Sequence, residues 1–315
     1  MAHPIQGLHH VTATVDLAQP DLDFCVGLLG LRLVKKTVNF DNHGVYHFYY
    51  GNESGAPGTI WTTFPYHGKS VPIGHKGAGQ VHVTSFSVPI GSSEFWRQRL
   101  SARGVPAIER PPRFGDEVIE LPDPSGLIFE LVFNDRDRRV PWTTDEIGAD
   151  AAIRGLHGVS LLVRDAGPTV EFMTRVLGFH VANESDGRFR LGVREAAPGT
   201  TMDVVADSSA DAARNGLGTV HHVAMAIPTP ADQLAIRTEL AGLGYRVTEV
   251  MDRQYFQSIY FREPGGVLFE IATMQPGFTD DEDLAHLGQS LKLPRWEEPN
   301  RREVEASLPH VSTPS

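Results

Sequence analysis

The chain repeats one pattern four times, and no fold that ignores that repetition can accommodate it. Four stretches with the alternation of a strand open alike: GLHHVTATV (7–15), QVHVTSFSV (80–88), GLHGVSLLV (155–163) and TVHHVAMAI (219–227). Each is followed by apolar residues at three- and four-residue spacing closed by a glycine, which predicts helices over 20–30, 92–104, 166–178 and 230–244. Strand-rich segments come next and finish in strands led by glycine, at 56–64, 123–132, 197–205 and 263–272. The unit is therefore β-α-β-β-β, about 50–60 residues long, and the fold class is α+β. Units one and three share APGT before the last strand, and units two and four share a D/E-P-x-G turn followed by F-E, which marks a duplicated pair. The expected division is an N-terminal pair of units over 1–135, a polar, proline-interrupted linker over 136–150, and a C-terminal pair over 151–275. The acidic tail over 276–315 is read as a lid or strap on the active site, with one or two short helices and a disordered end.

Composition narrows the class further. With 315 residues, 41% hydrophobic and 21% charged, the chain buries a sizeable core and is not disordered. A net charge of −11 with no Lys/Arg block argues against nucleic acid and anionic lipid as partners. No apolar run approaches the ~18–20 residues of a membrane span. The lone Cys25 forms no internal disulfide, and MAHPIQGLHHVT lacks the basic and apolar regions of a leader, so a cytoplasmic location is expected.

Aligning the units on Val15, Val88, Val163 and Ile227 puts His10, Val83, Gly158 and His222 in one column, five places earlier. In the last strand the matching column holds Glu130 and Glu270 in units two and four, against Thr62 or Thr63 and Asp203 or Val204 in units one and three. Only unit four keeps both a histidine and a glutamate. Period-two alternation places His10 with Thr12 and Thr14, His222 with Ala224 and Ala226, and Glu270 with Leu268 and Gly266. Small neighbours leave room beside the imidazoles. A buried carboxylate at Glu270, with no Lys or Arg in an obvious partner position, is costly unless it is paired or holds a metal. Two histidines and one carboxylate from three strands fit the triad that binds Fe(II), or less often Mn(II), with positions left open for O2 and substrate. The blander assignments are explicit. His82 and His157 lie one place earlier and read as hydrogen-bonded core residues. His9 and His221 share their parity and point away from the ligand face unless a bulge turns them back. His43, His67, His75, His180, His286 and His310 read as solvated, and Glu130 as a vestige or a core hydrogen-bonding group.

At these residues the chain resembles the vicinal oxygen chelate superfamily (glyoxalase/bleomycin-resistance fold), and within it the extradiol ring-cleaving dioxygenases acting on hydroquinones. The resemblance rests on GLHHVT (7–12), FCVGLLGLRLVKKTVNFD (24–41), YHFYYGNESGAPGTIWTTFP (46–65), TVHHVAMAIP (219–228), YFQSIYFREPGGVLFEIAT (255–273) and the tail motifs of 277–294. It implies two half-open mixed barrels, units one and four forming the metal-bearing one and units two and three an empty one. It implies Fe(2+), or Mn(2+), held by His10, His222 and Glu270, with His9 and Thr12 beside the ligands or in the substrate pocket. Tyr260, His221 and Arg253 become the catalytic group, Tyr260 as hydrogen-bond donor and proton source and the other two holding negative charge. A small aromatic substrate, O2 and a homodimer complete what the resemblance implies. Two other readings stay open: a Zn/Ni lyase or isomerase of the glyoxalase kind, which needs a fourth carboxylate where Thr62 or Thr63 stands, and a metal-free binding or resistance protein.

Overall fold

In the computed structural model, which describes residues 3–66 and 71–314, each unit folds as the repeat requires. His67 lies outside the described residues. Unit one supplies β1 (Gly7–Val15), α1 (Ala18–Leu22), β2 (Arg32–Asn39), β3 (Asn42–Gly51) and β4 (Ile60–Pro65). Unit two supplies β5 (Gln80–Pro89), α2 (Ser93–Ala102), β6 (Ile108–Arg113), β7 (Asp116–Pro122) and β8 (Ile128–Asn134). Unit three follows with β9 (Gly155–Val163), α3 (Ala166–Arg175), β10 (His180–Ser185), β11 (Arg188–Gly192) and β12 (Thr201–Ala206). Unit four closes with β13 (Thr219–Ile227), α4 (Pro230–Gly242), β14 (Met251–Asp252), β15 (Gln257–Arg262) and β16 (Leu268–Thr273). The helices start where their sequences say: Thr229 caps α4 by accepting from the Asp232 N–H with Pro230 in the first turn, and Asp165 caps α3 through the Gly167 N–H. Unit one departs from the pattern, because α1 is a short turn that widens into a π-helical segment over Asp23–Leu28. No helix among the described residues is long and apolar enough to cross a membrane.

The strands form two curled eight-stranded mixed sheets, ordered β14-β15-β16-β13-β1-β4-β3-β2 and β10-β11-β12-β9-β5-β8-β7-β6. Units one and four therefore share one half-barrel and units two and three the other, as expected. Each is centred on an antiparallel pair of opening strands, β1 with β13 and β5 with β9.

Those central pairs carry a feature that alternation alone misses. The register steps by one residue between Leu8 and His10 and again between Thr12 and Ala13, so His9 and His221 are the extra residues of two β-bulges. In the other barrel the steps fall around His82 and His157. All four bulged positions are histidines. His157 is buried, with its Nε2 3.8 Å from Asp116, and neither that nitrogen nor the Nδ1 of half-buried His82 has a hydrogen-bond partner.

The second barrel is filled by ion pairs. Arg113 grips Glu130 with two bonds of 2.6 and 2.7 Å while Ser85 Oγ donates to the same carboxylate, and Arg190 and Arg188 do the same for Asp203. Of the two alternatives for Glu130, the structure shows the core hydrogen-bonding group, gripped by Arg113 and Ser85. Between the barrels, Phe129 packs on Phe24, Trp61 and Phe86. Arg139, in the stretch between the halves, donates to the carbonyls of Gly58 and Leu156 while holding Asp137.

Near this seam Asp21 is buried and accepts from Tyr50 Oη and Thr63 Oγ1, both at 2.6 Å. Burial raises its pKa to about 6 against these donors. A raised folded-state value means that its contribution is fully present below the unfolded pKa of ~4 and is lost as pH rises through about 6. Asp21→Asn is expected to remove about 3 kcal/mol of the stability decline between pH 4 and 7. Urea melts of both proteins across that range provide the comparison, and parallel pH profiles would reject the assignment.

The tail continues through short 3-10 turns and α5 (Arg301–Ser307). Phe278 is buried against Tyr49 and Tyr255, Leu291 bridges to Lys36 at the edge of β2, and Tyr46 Oη donates to the Pro309 carbonyl. The expected disordered end is not found up to residue 314. Gln19 holds the Ser312 backbone at both its N–H and its C=O, each at 2.8 Å.

Candidate metal centre

The two bulges decide how the central histidines stand. Because His9 and His221 are displaced from the regular alternation, each ring reaches back to its neighbour: His9 Nδ1 lies 2.8 Å from His10 Nδ1, and His221 Nδ1 lies 2.7 Å from His222 Nδ1. Such a contact needs one N–H and one lone pair. With His10 and His222 as donors, both are locked with an Nε2 lone pair facing inward, the tautomer that a metal requires. Burial, followed by the adjacent ligand imidazole, pushes His9 and His221 down to about 3, so both stay neutral.

Inward, the three ligand-type atoms converge. His10 Nε2 and His222 Nε2 are 3.2 Å apart, and Glu270 Oε2 lies 3.2 Å from the first and 2.8 Å from the second. All three residues are buried, Glu270 completely. Burial opposes ionisation of Glu270, but the His10 and His222 imidazoles hold its carboxyl well below the usual range. Ser258 Oγ donates to Oε1, whereas Oε2 has no hydrogen-bond donor despite its short distance to His222. A buried carboxylate oxygen without a donor, aimed at two inward lone pairs, fits a divalent cation with open positions. These three residues can hold one.

Register also settles the place of a fourth protein ligand. The β1/β13 ladder pairs Thr12 with His222 and His10 with Ala224, a local two-fold arrangement. Ala224 aligns with Glu270 in β16, and its counterpart Thr12 aligns with Thr62 in β4. Thr62 is therefore the counterpart of Glu270, while Thr63 faces away to Asp21. Its hydroxyl donates to Thr12 Oγ1 at 2.8 Å and lies 2.9 Å from His47 Nε2. No carboxylate occupies that place.

A cavity of about 310 Å³ opens above the triad, lined by His10, Thr12, His221, His222, Arg253 and Tyr260, with Tyr49, Phe64 and Phe256 as apolar wall. Arg253 reaches it because β14 is two residues long and the chain turns back at once. The Arg253 N–H bonds to the Phe256 carbonyl, and Gln254 takes a left-handed φ of 64°. The Arg253 Nε donates to Tyr260 Oη at 3.2 Å, and its Nη1 lies 3.4 Å from Asp41. Burial, then the Glu270 charge, raises the Tyr260 phenol, which stays protonated. His9 and Glu270 stand behind the cavity wall, supporting the residues that face it. His43, His180, His286 and His310 are exposed and His75 is half-buried, none of them near the triad.

Sequence reasoning did not single out His47, Tyr49 or Ser258. In the β3/β4 and β15/β16 ladders Tyr49 pairs with Thr62 and Tyr260 with Glu270, and two places along lie His47 and Ser258. Extending the unit alignment to the third strand would have found these positions.

A family model described as glyoxalase/bleomycin resistance protein/dioxygenase superfamily matches residues 155–271. MhqO of Bacillus subtilis (strain 168), assigned as a ring-cleaving dioxygenase, is 43% identical over 98% of this chain and 97% of its own length. The chain belongs to this superfamily. The chlorohydroquinone/hydroquinone 1,2-dioxygenase of Sphingobium indicum is 35% identical over 92% of this chain and 91% of its own. The crystal structure of an assigned dioxygenase from B. subtilis superposes over the whole of both chains, with a TM-score of 0.94 and 41% identity. Kinship of this depth over nearly the full length makes the chain a superfamily member of the ring-cleaving dioxygenase branch.

Proposed function

We propose that the chain is an Fe(II)-dependent extradiol-type dioxygenase that opens the ring of a hydroquinone or catechol-like aromatic. Both atoms of O2 enter the product as one ring C–C bond beside a hydroxylated carbon is broken. The observation that carries the reading is the inward triad of His10, His222 and Glu270 with Thr62, not a carboxylate, as counterpart of Glu270. When bound, Fe(2+), or Mn(2+) on the same donors, supplies a Lewis acid for the phenolic hydroxyl and a one-electron link between ring and O2.

The chain's own residues do the rest. Phe64 and Phe256 clamp the flat ring and exclude water. Tyr260 keeps its proton and presents it toward the reacting oxygen atoms, while Arg253, bonded to its phenol oxygen, stabilises negative charge there. His221 lines the same wall and holds the His222 tautomer, as His9 does for His10. Thr12 braces Thr62 beneath the substrate. The lyase reading is weakened by Thr62, and the metal-free reading by the donorless Glu270 Oε2. A cytoplasmic location accords with a single buried thiol, and the open, exposed edge at β10 offers a surface for a homodimer.

Anaerobic purification with metal analysis, followed by oxygen uptake on hydroquinones and catechols with Fe(II), Mn(II) or Zn(II) restored, tests the reading. Uptake that depends on Fe(II) or Mn(II) and yields a ring-opened product is the expected result; stoichiometric Zn(II) or Ni(II) without uptake would reject it. Tyr260→Phe is expected to lower kcat by about 100-fold with KM little changed. Equal losses in kcat and kcat/KM would locate the phenol in the chemical step, whereas a change confined to KM would remove it from that step.

A further inference from the structure

Unit one places an imidazole where unit four places Ser258, and the triad does not use it. His47 lies on β3 in the cavity wall, nearly buried, with its ring 4.0 Å from that of Tyr49 and 4.2 Å from that of Phe64. These two rings fix its plane. Its Nε2 lies 2.9 Å from Thr62 Oγ1, and Thr62 spends its own proton on Thr12. Thr62 oxygen is thus an acceptor for the His47 Nε2–H, which leaves the lone pair on Nδ1. Among the described residues Nδ1 has no hydrogen-bond partner, and it is not among the buried atoms cut off from solvent. Burial, with His10, His222 and Arg253 nearby, keeps the imidazole neutral.

We propose that His47 Nδ1 is a specificity-determining acceptor for a second hydroxyl of the substrate, the one that is not bound at the triad. The assignment rests on the reading of the site as one that takes a hydroquinone-like ring, and deepens it by naming the residue that meets the hydroxyl away from the triad. Arg253 and Tyr260 offer donors to the cavity, and His47 offers an acceptor held between the rings of Tyr49 and Phe64. A ring with a single hydroxyl would leave Nδ1 buried beneath it without a donor, a penalty that a dihydroxylated ring avoids.

Binding separates this assignment from the reaction. Hydroquinone and phenol are titrated anaerobically into the Fe(II)-loaded protein by calorimetry, for wild type, His47→Phe and His47→Asn, with metal content measured in each. Wild type is expected to favour hydroquinone by about tenfold, the loss of one hydrogen bond. His47→Phe should erase that preference without loss of metal, and His47→Asn, which keeps an acceptor, should retain part of it. If His47→Phe fails to fold, Thr62→Val takes its place, since releasing Nε2 should shrink the preference as well. A preference unchanged in the folded variants, or absent from wild type, would overturn the assignment. Oxygen uptake is scored separately: a preference for hydroquinone that depends on His47 in a protein that consumes no O2 would leave His47 as assigned and defeat the dioxygenase reading instead.

Discussion

Glu270→Gln protein is expected to leave anaerobic purification without stoichiometric metal and to take up oxygen at least about 100-fold more slowly than wild type, since even the loss of a residue behind a metal ligand typically costs 10–100-fold. The argument is electrostatic. Glu270 is the only carboxylate of the triad, fully buried, with Oε2 beside both inward imidazoles and without a hydrogen-bond donor. An amide of the same shape keeps the packing and the Ser258 contact but removes the charge that offsets a divalent ion's desolvation. The metal-free forms provide the control. Because the neighbouring imidazoles hold the Glu270 carboxyl low in the metal-free fold, removing its charge should itself lower the metal-free midpoint, so each metal-free protein serves as its own baseline. Added Fe(II) should raise the wild-type midpoint by mass action and leave the variant unmoved. A variant that unfolds early but still binds metal would instead make Glu270 a structural residue.

The second large effect is expected far from the chemistry. Lys35 on β2 is completely buried, and its ammonium lies 2.5 Å from Asp281 and 2.6 Å from Glu282, both from the tail. Tyr255 donates to Asp281 at 3.0 Å and offers its ring to the same ammonium, while Ser290 holds Glu282. Lys35→Met strands two carboxylates and should cost about 3 kcal/mol, the low end for a broken buried pair because Asp281 keeps partial contact with water. The tail should also loosen over residues 276–290, since the bonds from Lys35 to Asp281 and Glu282 are lost and Phe278 with the Arg32, Tyr255 and Leu287 contacts is left to seat it. Equilibrium unfolding and limited proteolysis read the two effects. Protection of the tail identical to wild type would show that apolar contacts, not the ion pairs, fasten it.

How far the sequence disclosed this molecule can be argued residue by residue. The repeat was legible because alternation and glycine-led turns are local, and the column holding His10 and His222 follows from aligning them. Pairing of units one with four is non-local, and it came from the resemblance together with the scatter of the ligands. The bulges at His9 and His221 were not legible, because a one-residue slip between two strands leaves no trace in either strand alone. Thr62 could not be separated from Thr63 until the register of β1 with β4 was fixed. His47 was passed over because the unit alignment stopped short of the third strand, where a histidine in YHFYYG reads like any aromatic-rich wall and its partner Thr62 comes from another strand. Glu130 proves to be the core hydrogen-bonding group of the two alternatives, and its partner Arg113 was not foreseen because it sits on an edge strand interrupted by Pro111 and Pro112.

His10 and His222 are separated by 212 positions, and Glu270 comes later still. Ligands drawn from the first and the last units cannot meet while the chain is being made. A nascent chain halted anywhere before β16 holds at most two of these three residues and never the full set. The order of assembly is thereby fixed: both inner units are synthesised before the outer two can close upon each other, and the three residues meet only after β16 is made. A metal ion held by all three residues is in this way kept from any fragment that lacks the walls to contain it.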